Sequence, residues 1–350
     1  MKLIENNEFH KFVPTDDDSG ILWICFSGRG YKPGKFTFFK TLSALKGDKL
    51  FFNCADNSWY LNDIEKINAA IKEATGKKQY KKTIFLGSSM GGYAAILFAK
   101  IHNGSQVLAF SPSLYLGSRF SWSGNLDIQL KYNDLTETLK NSAGPKPMIF
   151  LSVYDPFDMS FFRQFTAYEE FLEIYFLKCD HDTAMLLKKS GHLRKVLTAV
   201  QEDKDFSIDQ DITASISDIE TGANLYELLA PVYDGGNGGN IDNMQNMPEP
   251  FREQFFIKLL NECKMYKDNS RAIRISELAL SHGAYPRAIK FFTEKNLLAK
   301  NYSEAGRYMP RYQYLYGNTK AGLRNLFKLN LAERRYFSAA ACLCKLLVVA

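Results

Sequence analysis

Glycine residues flank one serine at the two positions that a catalytic serine turn requires. The segment runs Gly87, Ser88, Ser89, Met90, Gly91, with an apolar run before it and a helical pattern after it. A serine at the tip of a sharp strand-to-helix turn has a strained backbone, and glycines two residues to either side let the chain pass closely. The spacing therefore predicts Ser89 as a nucleophile that accepts an acyl group.

A serine hydroxyl is a poor nucleophile unless an imidazole accepts its proton. Of the five histidines, His181 comes directly after the last apolar run, where a loop at the carboxyl edge of a sheet would present it to Ser89. His192 falls in the helical stretch that follows and is the alternative base. The remaining histidines are poorly placed for this role: His10, His102 and His282.

A third residue must orient the imidazole, and an aspartate after the preceding apolar run is suited to it. Asp155 stands there, directly before Pro156, and Asp-Pro after a strand makes a fixed turn. Asp158, three residues later in the same loop, is the alternative. The order Ser89, Asp155, His181 is the chain order found in α/β hydrolases.

Backbone N–H groups beside the serine are candidates to bind the oxyanion of the tetrahedral intermediate. Met90 would donate from the N-terminus of the following helix, where the dipole favours negative charge. A second donor, Arg29 or Gly28, would come from the loop after the early strand. The Arg29 side chain is also the candidate to bind a carboxylate or phosphate of the substrate, unless it faces solvent and only its backbone matters.

Two other chemistries lack the residues they need. No Gly-Lys-Ser or Gly-Lys-Thr follows the glycine-rich turn, and no acidic residue is placed as in a dinucleotide-binding unit, so a phosphate cradle at this turn is the minor alternative to catalysis. Cys179 lies close to His181, but one cysteine and one histidine fall short of a zinc site. The sequence predicts neither a cofactor nor a metal.

Elements that could position these residues occupy the chain from Gly20 to about Gln201, where short apolar runs alternate with helical segments such as Asn62 to Ala74 and Gly92 to His102. Strands buried on both faces give continuous apolar runs, so the pattern predicts a mostly parallel sheet covered by helices. The predicted strands are Ile21 to Phe26, Leu50 to Cys54, Thr83 to Leu86, Gln106 to Phe110, Met148 to Val153 and Glu173 to Leu177.

The connection from Pro112 to Lys146 is the longest between two predicted strands and is rich in aromatic residues. A segment of this length is either a lid or binding element over the site or a crossover helix that packs on the sheet.

After about residue 205 the alternation of apolar runs and helical segments stops, which divides the chain into three parts. They are residues 1–205, a linker at 206–250 and an all-helical domain at 251–350. The linker contains a glycine-rich stretch from Asp234 to Asn240. Small residues in the third segment recur at an interval that fits two helices with their turns, so it resembles a tetratricopeptide-type repeat; an irregular helical bundle is the alternative. They are Ala272, Gly306 and Ala340, and separately Ala288 and Gly322.

Composition limits the function classes. The chain has 350 residues, 46% of them hydrophobic, and no apolar run long enough to span a bilayer. Its net charge of +6 is densest from Lys77 to Lys82, which is typical of a solvated loop, so nucleic-acid binding is not predicted. The N-terminus lacks the apolar core of a signal peptide and the six cysteines are scattered, so a cytoplasmic protein with reduced thiols is expected.

The stretch from Phe85 to Ala95, together with Phe110 to Pro112, resembles the α/β-hydrolase superfamily, and within it is similar to bacterial hydrolases that accompany surface-polysaccharide and glycosyltransferase genes. The resemblance covers about residues 20–200 and implies a triad of Ser89, Asp155 and His181. The early loop reads Phe26-Ser-Gly where the family commonly has His-Gly.

Three functions are compatible with these residues. The first is a serine esterase that removes an acyl group, such as an O-acetyl group, from a carbohydrate. The second is an acyltransferase that uses the same triad to pass the acyl group to a sugar hydroxyl. The third is a binding protein without activity, whose helical domain recruits a partner. That domain could also cover the hydrolase domain or mediate self-association.

Overall fold

A computed structural model of the chain describes residues 7–116, 135, 146–165, 171–233, 247–265, 269–283, 285–317, 319–332 and 336–349. The chain divides into two compact units, Met1–Gly235 and Gly236–Ala350. All of the residues that the sequence selects for catalysis belong to the first unit.

The first unit is built on a sheet whose strands, among the described residues, are ordered β1-β3-β2-β4-β5-β6-β7. Every neighbouring pair is parallel except β1 and β3, which are antiparallel. The strands are β1 His10–Val13, β2 Ile21–Phe26, β3 Asp48–Phe52, β4 Lys82–Ser88, β5 Gln106–Phe110, β6 Met148–Ser152 and β7 Glu173–Leu177.

Helices cover both faces of this sheet, which explains why its central strands are continuous apolar runs. All six residues of β2 are buried. On one face they pack with α2 and α3, and on the other with α1, α5 and α6. The helices of the unit are α1 Phe39–Leu42, α2 Ile64–Thr75, α3 Met90–Ile101, α4 Pro156–Phe165, α5 Thr183–Lys189, α6 His192–Gln201 and α7 Ile216–Tyr233.

Strand register brings the functional loops to one edge. Phe26, the last residue of β2, pairs with Phe52 at the end of β3 and with Gly87 near the end of β4. Because parallel strands end at the same edge of a sheet, the loops after β2, β4, β6 and β7 emerge side by side. The sheet thus supplies the common edge that the sequence pattern requires.

All six predicted strands are present, with ends that agree to within two residues. The prediction for β3 begins two residues late because its first residues, Asp48 and Lys49, are polar but buried. Asp48 Oδ1 accepts a hydrogen bond from the backbone N–H of Thr15 at 2.7 Å, and Lys49 Nζ donates to the carbonyl of Leu45 at 2.6 Å. Their polar groups have partners, so a polar start to a buried strand is tolerated.

Strand β1 was not predicted, because it is a short edge strand in a charged N-terminal segment. Phe12 pairs with Leu50 and is its buried residue, while the other three residues of His10–Val13 are half-buried. A strand with one neighbour lacks the continuous apolar pattern of a central strand.

The predicted linker at 206–250 is corrected at its start. Residues 206–233 belong to the first unit: Lys178 N–H donates to the carbonyl of Ile212 at 2.8 Å, and Ala214 N–H donates to that of Phe176 at 2.8 Å. Helix α7 then packs on α4, and a Cβ at Gly222 would lie 2.4 Å from the carbonyl oxygen of Val153. The glycine-rich stretch from Asp234 to Asn240 lies outside the described residues.

Among the described residues of the second unit the regular elements are all helices, and most helices that follow one another along the chain pack together. Ala288 and Gly322, one predicted pair, are both buried, as is Ala272, whereas Gly306 is half-buried and Ala340 exposed. Tetratricopeptide-type repetition therefore remains a prediction. The helices are α8 Phe251–Met265, α9 Asn269–His282, α10 Pro286–Leu298, α11 Tyr302–Gly306, α12 Met309–Tyr316, α13 Lys320–Ala332 and α14 Tyr336–Val349.

Most of the long connection between Pro112 and Lys146, with its predicted lid or crossover helix, lies outside the described residues. Within the part of the chain that is described, no helix combines the length and the apolar character that crossing a membrane demands.

Candidate active site

Ser89 occupies a strained turn between β4 and α3. Its backbone angles are φ 54° and ψ −119°, a combination that a residue with a side chain adopts at a cost of about 1–3 kcal/mol. Its N–H donates to the carbonyl of Phe110, at the end of β5, at 2.7 Å. The neighbouring strand thus fixes the turn and keeps Ser89 at the sheet edge.

The two flanking glycines are required by space rather than by flexibility. A Cβ at Gly87 would lie 1.9 Å from the carbonyl oxygen of Gly91, and one at Gly91 would lie 2.2 Å from that of Phe26. Both distances are far below van der Waals contact. With this turn above a parallel sheet covered by helices, the first unit has the predicted α/β-hydrolase fold.

His181 lies beside the serine. It stands in the loop between β7 and α5, and its Nε2 is 2.8 Å from the Oγ of Ser89. Its side chain is 22% exposed, so it borders both the protein interior and the space open to a substrate. The predicted base and nucleophile are therefore within hydrogen-bonding distance.

The carboxylate that meets His181 belongs to Asp158, not to the preferred Asp155. Asp158 Oδ1 lies 2.9 Å from His181 Nδ1. Asp155 instead caps helix α4: its Oδ1 accepts hydrogen bonds from the N–H groups of Phe157 at 2.8 Å and of Asp158 at 3.3 Å. The Asp-Pro pair is thus a helix start, with the aspartate as N-cap and Pro156 in the first turn.

Burial and the neighbouring polar groups together set the pKa of the Asp158 carboxylate. The side chain is 2% exposed. Burial raises the pKa of Asp158 and the nearby Asp155 raises it further, whereas the contact with His181 and the hydrogen bond from the Ser152 N–H lower it, with a net upward shift. Its Oδ2 accepts that Ser152 N–H at 2.9 Å. Both oxygens are therefore fixed, and Oδ1 points at the imidazole.

Two buried hydroxyl groups anchor the start of α5, directly after the loop that carries His181, and neither was predicted from the sequence. Thr183 Oγ1 lies 3.0 Å from Ser111 Oγ and 3.5 Å from the carbonyl oxygen of Phe150, and both hydroxyl residues are fully buried. The contacts connect the start of α5 to the residue that follows β5 and to the middle of β6. A threonine two residues after the predicted base is the only local signal for this role.

The candidate oxyanion donors differ in their surroundings. Met90 is the first residue of α3, and the first N–H groups of a helix have no partner within the helix. The Gly28 N–H donates to Thr37 Oγ1 at 3.2 Å, which removes it as the expected donor. Arg29 follows on an exposed part of the loop. The roles of Met90 and Arg29 remain predictions.

Three of the other histidines lie away from Ser89. His192, the alternative base, is buried at the start of α6, with its Nε2 2.9 Å from Asp209 Oδ2. His102 Nε2 lies 2.8 Å from Asn68 Oδ1, and burial lowers its pKa. His282 stacks on Phe256 in the second unit. Among the described histidines, His181 is the one whose ring nitrogen lies within hydrogen-bonding distance of Ser89.

The same cluster offers three atoms with the chemistry of metal ligands, one each from Asp155, Asp158 and His181, all within 4.8 Å of one another. Oxygen atoms of both aspartates already accept backbone hydrogen bonds, and His181 lies between Asp158 and Ser89. This arrangement fits proton transfer between Ser89 and His181, with Asp158 orienting the imidazole. The absence of a metal remains a prediction.

Comparisons with known proteins find no matching family model and no matching curated sequence. Among solved structures, the capsule O-acetyltransferase of Neisseria meningitidis serogroup A is 16% identical, with a TM-score of 0.44 over 55% of this chain and 90% of that one. The S-formylglutathione hydrolase of Staphylococcus aureus is 15% identical, with a TM-score of 0.42 over 55% and 92%.

A third similar structure is the Glycosylation Associate Protein (Gap123) complex from Streptococcus agalactiae, with 19% identity and a TM-score of 0.42. The match covers 56% of this chain and 45% of that one, so it spans less than half of that protein's length. At such identities the likeness concerns the backbone arrangement, and no activity is transferred from it.

The crowding at the turn yields a stability prediction. Gly91→Ala should lower the free energy of unfolding by about 3 kcal/mol, because the new methyl group would overlap the Phe26 carbonyl and the backbone must move. Denaturant unfolding followed by circular dichroism measures it. Gly76→Ala is the matched control: its φ is −77° and its nearest neighbour is 3.2 Å away, so a change below about 1 kcal/mol is expected. Equal losses in the two variants would contradict the steric argument.

Proposed function

We propose that this chain is a serine-dependent acyl-ester hydrolase that works through an acyl-Ser89 intermediate. One observation carries the proposal: Asp158, His181 and Ser89 form a continuous hydrogen-bonded series, with heavy-atom distances of 2.9 and 2.8 Å, at a strained turn. Distances of this size are those over which a base can take a proton from a nucleophile. A structural role for the series would not require the strained backbone of Ser89.

The first step is attack by Ser89 on the acyl carbonyl carbon. With its proton on Nδ1 donated to Asp158, the imidazole of His181 accepts the Ser89 proton at Nε2 as the bond from Oγ to carbon forms. The carbonyl oxygen becomes an oxyanion, and the first N–H groups of α3, beginning with Met90, are its proposed donors. His181 then returns the proton to the departing alcohol oxygen, which leaves the acyl group on Ser89.

The second step repeats the chemistry with water. His181 takes a proton from the water molecule as its oxygen attacks the acyl carbon, and Ser89 leaves with that proton as the acid is released. Throughout, the buried Asp158 stabilises the positive charge that forms on the imidazole. A sugar hydroxyl in place of water would make the same reaction a transfer, with identical roles for the three residues.

A carbohydrate ester, such as an O-acetyl sugar, is the proposed substrate. The support is the sequence resemblance around Ser89, together with Arg29 on the exposed loop after β2, where a guanidinium could bind an anionic group. Product analysis with isotope-labelled acetyl ester, with and without an acceptor sugar, separates hydrolysis from transfer. Label that appears only as free acetate in both reactions supports hydrolysis, whereas label on the sugar shows transfer.

Removal of the nucleophile is the direct test. Ser89→Ala should abolish hydrolysis of p-nitrophenyl acetate and labelling by a fluorophosphonate probe, because no other group then receives the acyl or phosphonyl group. Ser88→Ala, one residue earlier, is the matched control and should keep both reactions. Measurable activity and labelling that are equal in the Ser89 variant and the unaltered chain would overturn the proposal. Absence of both reactions in the unaltered chain would overturn it as well and favour a non-catalytic binding role.

The assignment of the orienting carboxylate has its own test. Asp158→Asn should lower kcat for p-nitrophenyl acetate by about 10³–10⁴-fold, since an amide cannot fix the required tautomer of His181 or stabilise its positive form. Asp155→Asn keeps an oxygen that caps α4, so a loss of less than about tenfold is expected. A larger loss in the Asp155 variant than in the Asp158 variant would restore the original assignment.

A further inference from the structure

A cavity of about 720 Å³ lies in the first unit beside the loop that follows β2. Its size is in the range that binds small molecules. The described residues that line it include no aspartate or glutamate, and five of them are lysines: Lys11, Lys32, Lys35, Lys40 and Lys188.

This concentration of positive charge is not a property of the whole unit. Acidic side chains outnumber basic ones between Met1 and Gly235. Ion pairs between described residues use other lysines, such as Lys66 and Lys82. Within the described part of the chain none of the five cavity lysines is paired with a carboxylate. Their charge is therefore available to a ligand rather than neutralised by the protein.

Phenylalanine rings that pack on strand residues line part of the cavity. Phe38 lies 5.7 Å from Phe110 at the end of β5, and Phe39 lies 5.1 Å from Phe51 in β3, measured between ring centroids. Lys11 Nζ is 4.7 Å from the centre of the Phe39 ring. The rings are held by buried strand residues, so the cavity pairs flat apolar surfaces with ammonium groups. This pairing suits a ligand with a ring and an anionic substituent.

Two segments that form the cavity continue directly from the candidate active site. Gly30 lines the cavity, and Gly28, two residues earlier, is packed so closely that a Cβ would lie 3.2 Å from the carbonyl oxygen of Ser88. Lys188 is carried by α5, which begins two residues after His181. The cavity is therefore formed in part by the same two chain segments that carry the oxyanion candidates and His181.

We propose that this cavity is a subsite for an anionic group, a phosphate or a carboxylate, on the saccharide whose ester Ser89 attacks. The inference deepens the proposed function and rests on it. An ammonium group binds either anion by charge-assisted hydrogen bonds, and several lysines around one cavity favour an anionic sugar over a neutral one. The subsite would select the substrate, while Ser89, His181 and Asp158 act on the ester.

Binding to the Ser89→Ala chain tests the subsite without turnover. Calorimetric titrations with glucose 6-phosphate, glucuronate and glucose distinguish phosphate, carboxylate and neutral sugar. At least one anionic sugar should bind about tenfold or more tightly than glucose, and its affinity should fall as salt is added. Adding Lys32→Gln, Lys35→Gln and Lys40→Gln, all at exposed positions, should remove that preference.

A matched control carries Lys66→Gln, Lys72→Gln and Lys195→Gln, which are exposed lysines outside the cavity and change the net charge equally. It should keep the preference. Lys188→Gln alone, on the other wall, should weaken anionic binding and guards against misfolding of the triple variant, which thermal unfolding also reports.

Equal affinity for anionic and neutral sugars, or equal loss in the cavity and control triples, would overturn the subsite. Lysine-dependent binding of coenzyme A without binding of either anionic sugar would overturn its assignment to a saccharide. Hydrolysis of p-nitrophenyl acetate by the unaltered chain, measured separately, reports on the proposed function itself. A failure of that function is therefore distinguishable from a failure of the subsite.

Discussion

The contact between the backbone at Gly91 and the end of β2 sets the geometry of the whole site. A Cβ at Gly91 or Gly87 would lie 2.2 or 1.9 Å from a carbonyl oxygen, where ordinary contact begins at 3.4 Å, so the chain can turn here only with glycine. This close approach holds the first turn of α3 against the Phe26 carbonyl. It also fixes where the loop after β2 begins, and hence where the residues that follow it can lie.

The strained backbone conformation of Ser89 is maintained because the strands on both sides hold the turn in place. Its N–H is bonded to the end of β5, and β4 itself pairs with β2 and β5 along its length. A strained conformation persists where surrounding structure determines it, and here that structure is the centre of a buried sheet. The serine is thereby presented at the edge, while the cost of the turn is offset by burial of the strands beneath it.

The orienting carboxylate illustrates how burial and partners act together. An isolated ionised carboxylate is costly to bury, but Asp158 has His181 on one oxygen and the Ser152 N–H on the other. Asp155 caps α4 and organises its first turn. Asp155 therefore positions Asp158, and Asp158 contacts the imidazole. The hydroxyl pair of Ser111 and Thr183 then fixes the loop that delivers the imidazole.

Much of this arrangement follows from local pattern. The glycine spacing around Ser89, the six predicted strands and the position of His181 after the last of them are properties of short segments, and each was predicted from such a segment. What the pattern could not supply was β1, the attachment of residues 206–233 to the first unit, and the pairing of Ser111 with Thr183. Each of these depends on contacts between segments far apart in the chain.

The choice between Asp155 and Asp158 shows most clearly where prediction from the sequence ends and the tertiary structure decides. The sequence by itself determined that a carboxylate would follow β6 at the edge of the sheet where Ser89 stands. Only the tertiary structure decided which one, because Asp155 begins α4 as its cap and the first turn of that helix directs Asp158 toward His181. A helix's orientation is set by packing against the sheet and α7, which no local spacing encodes.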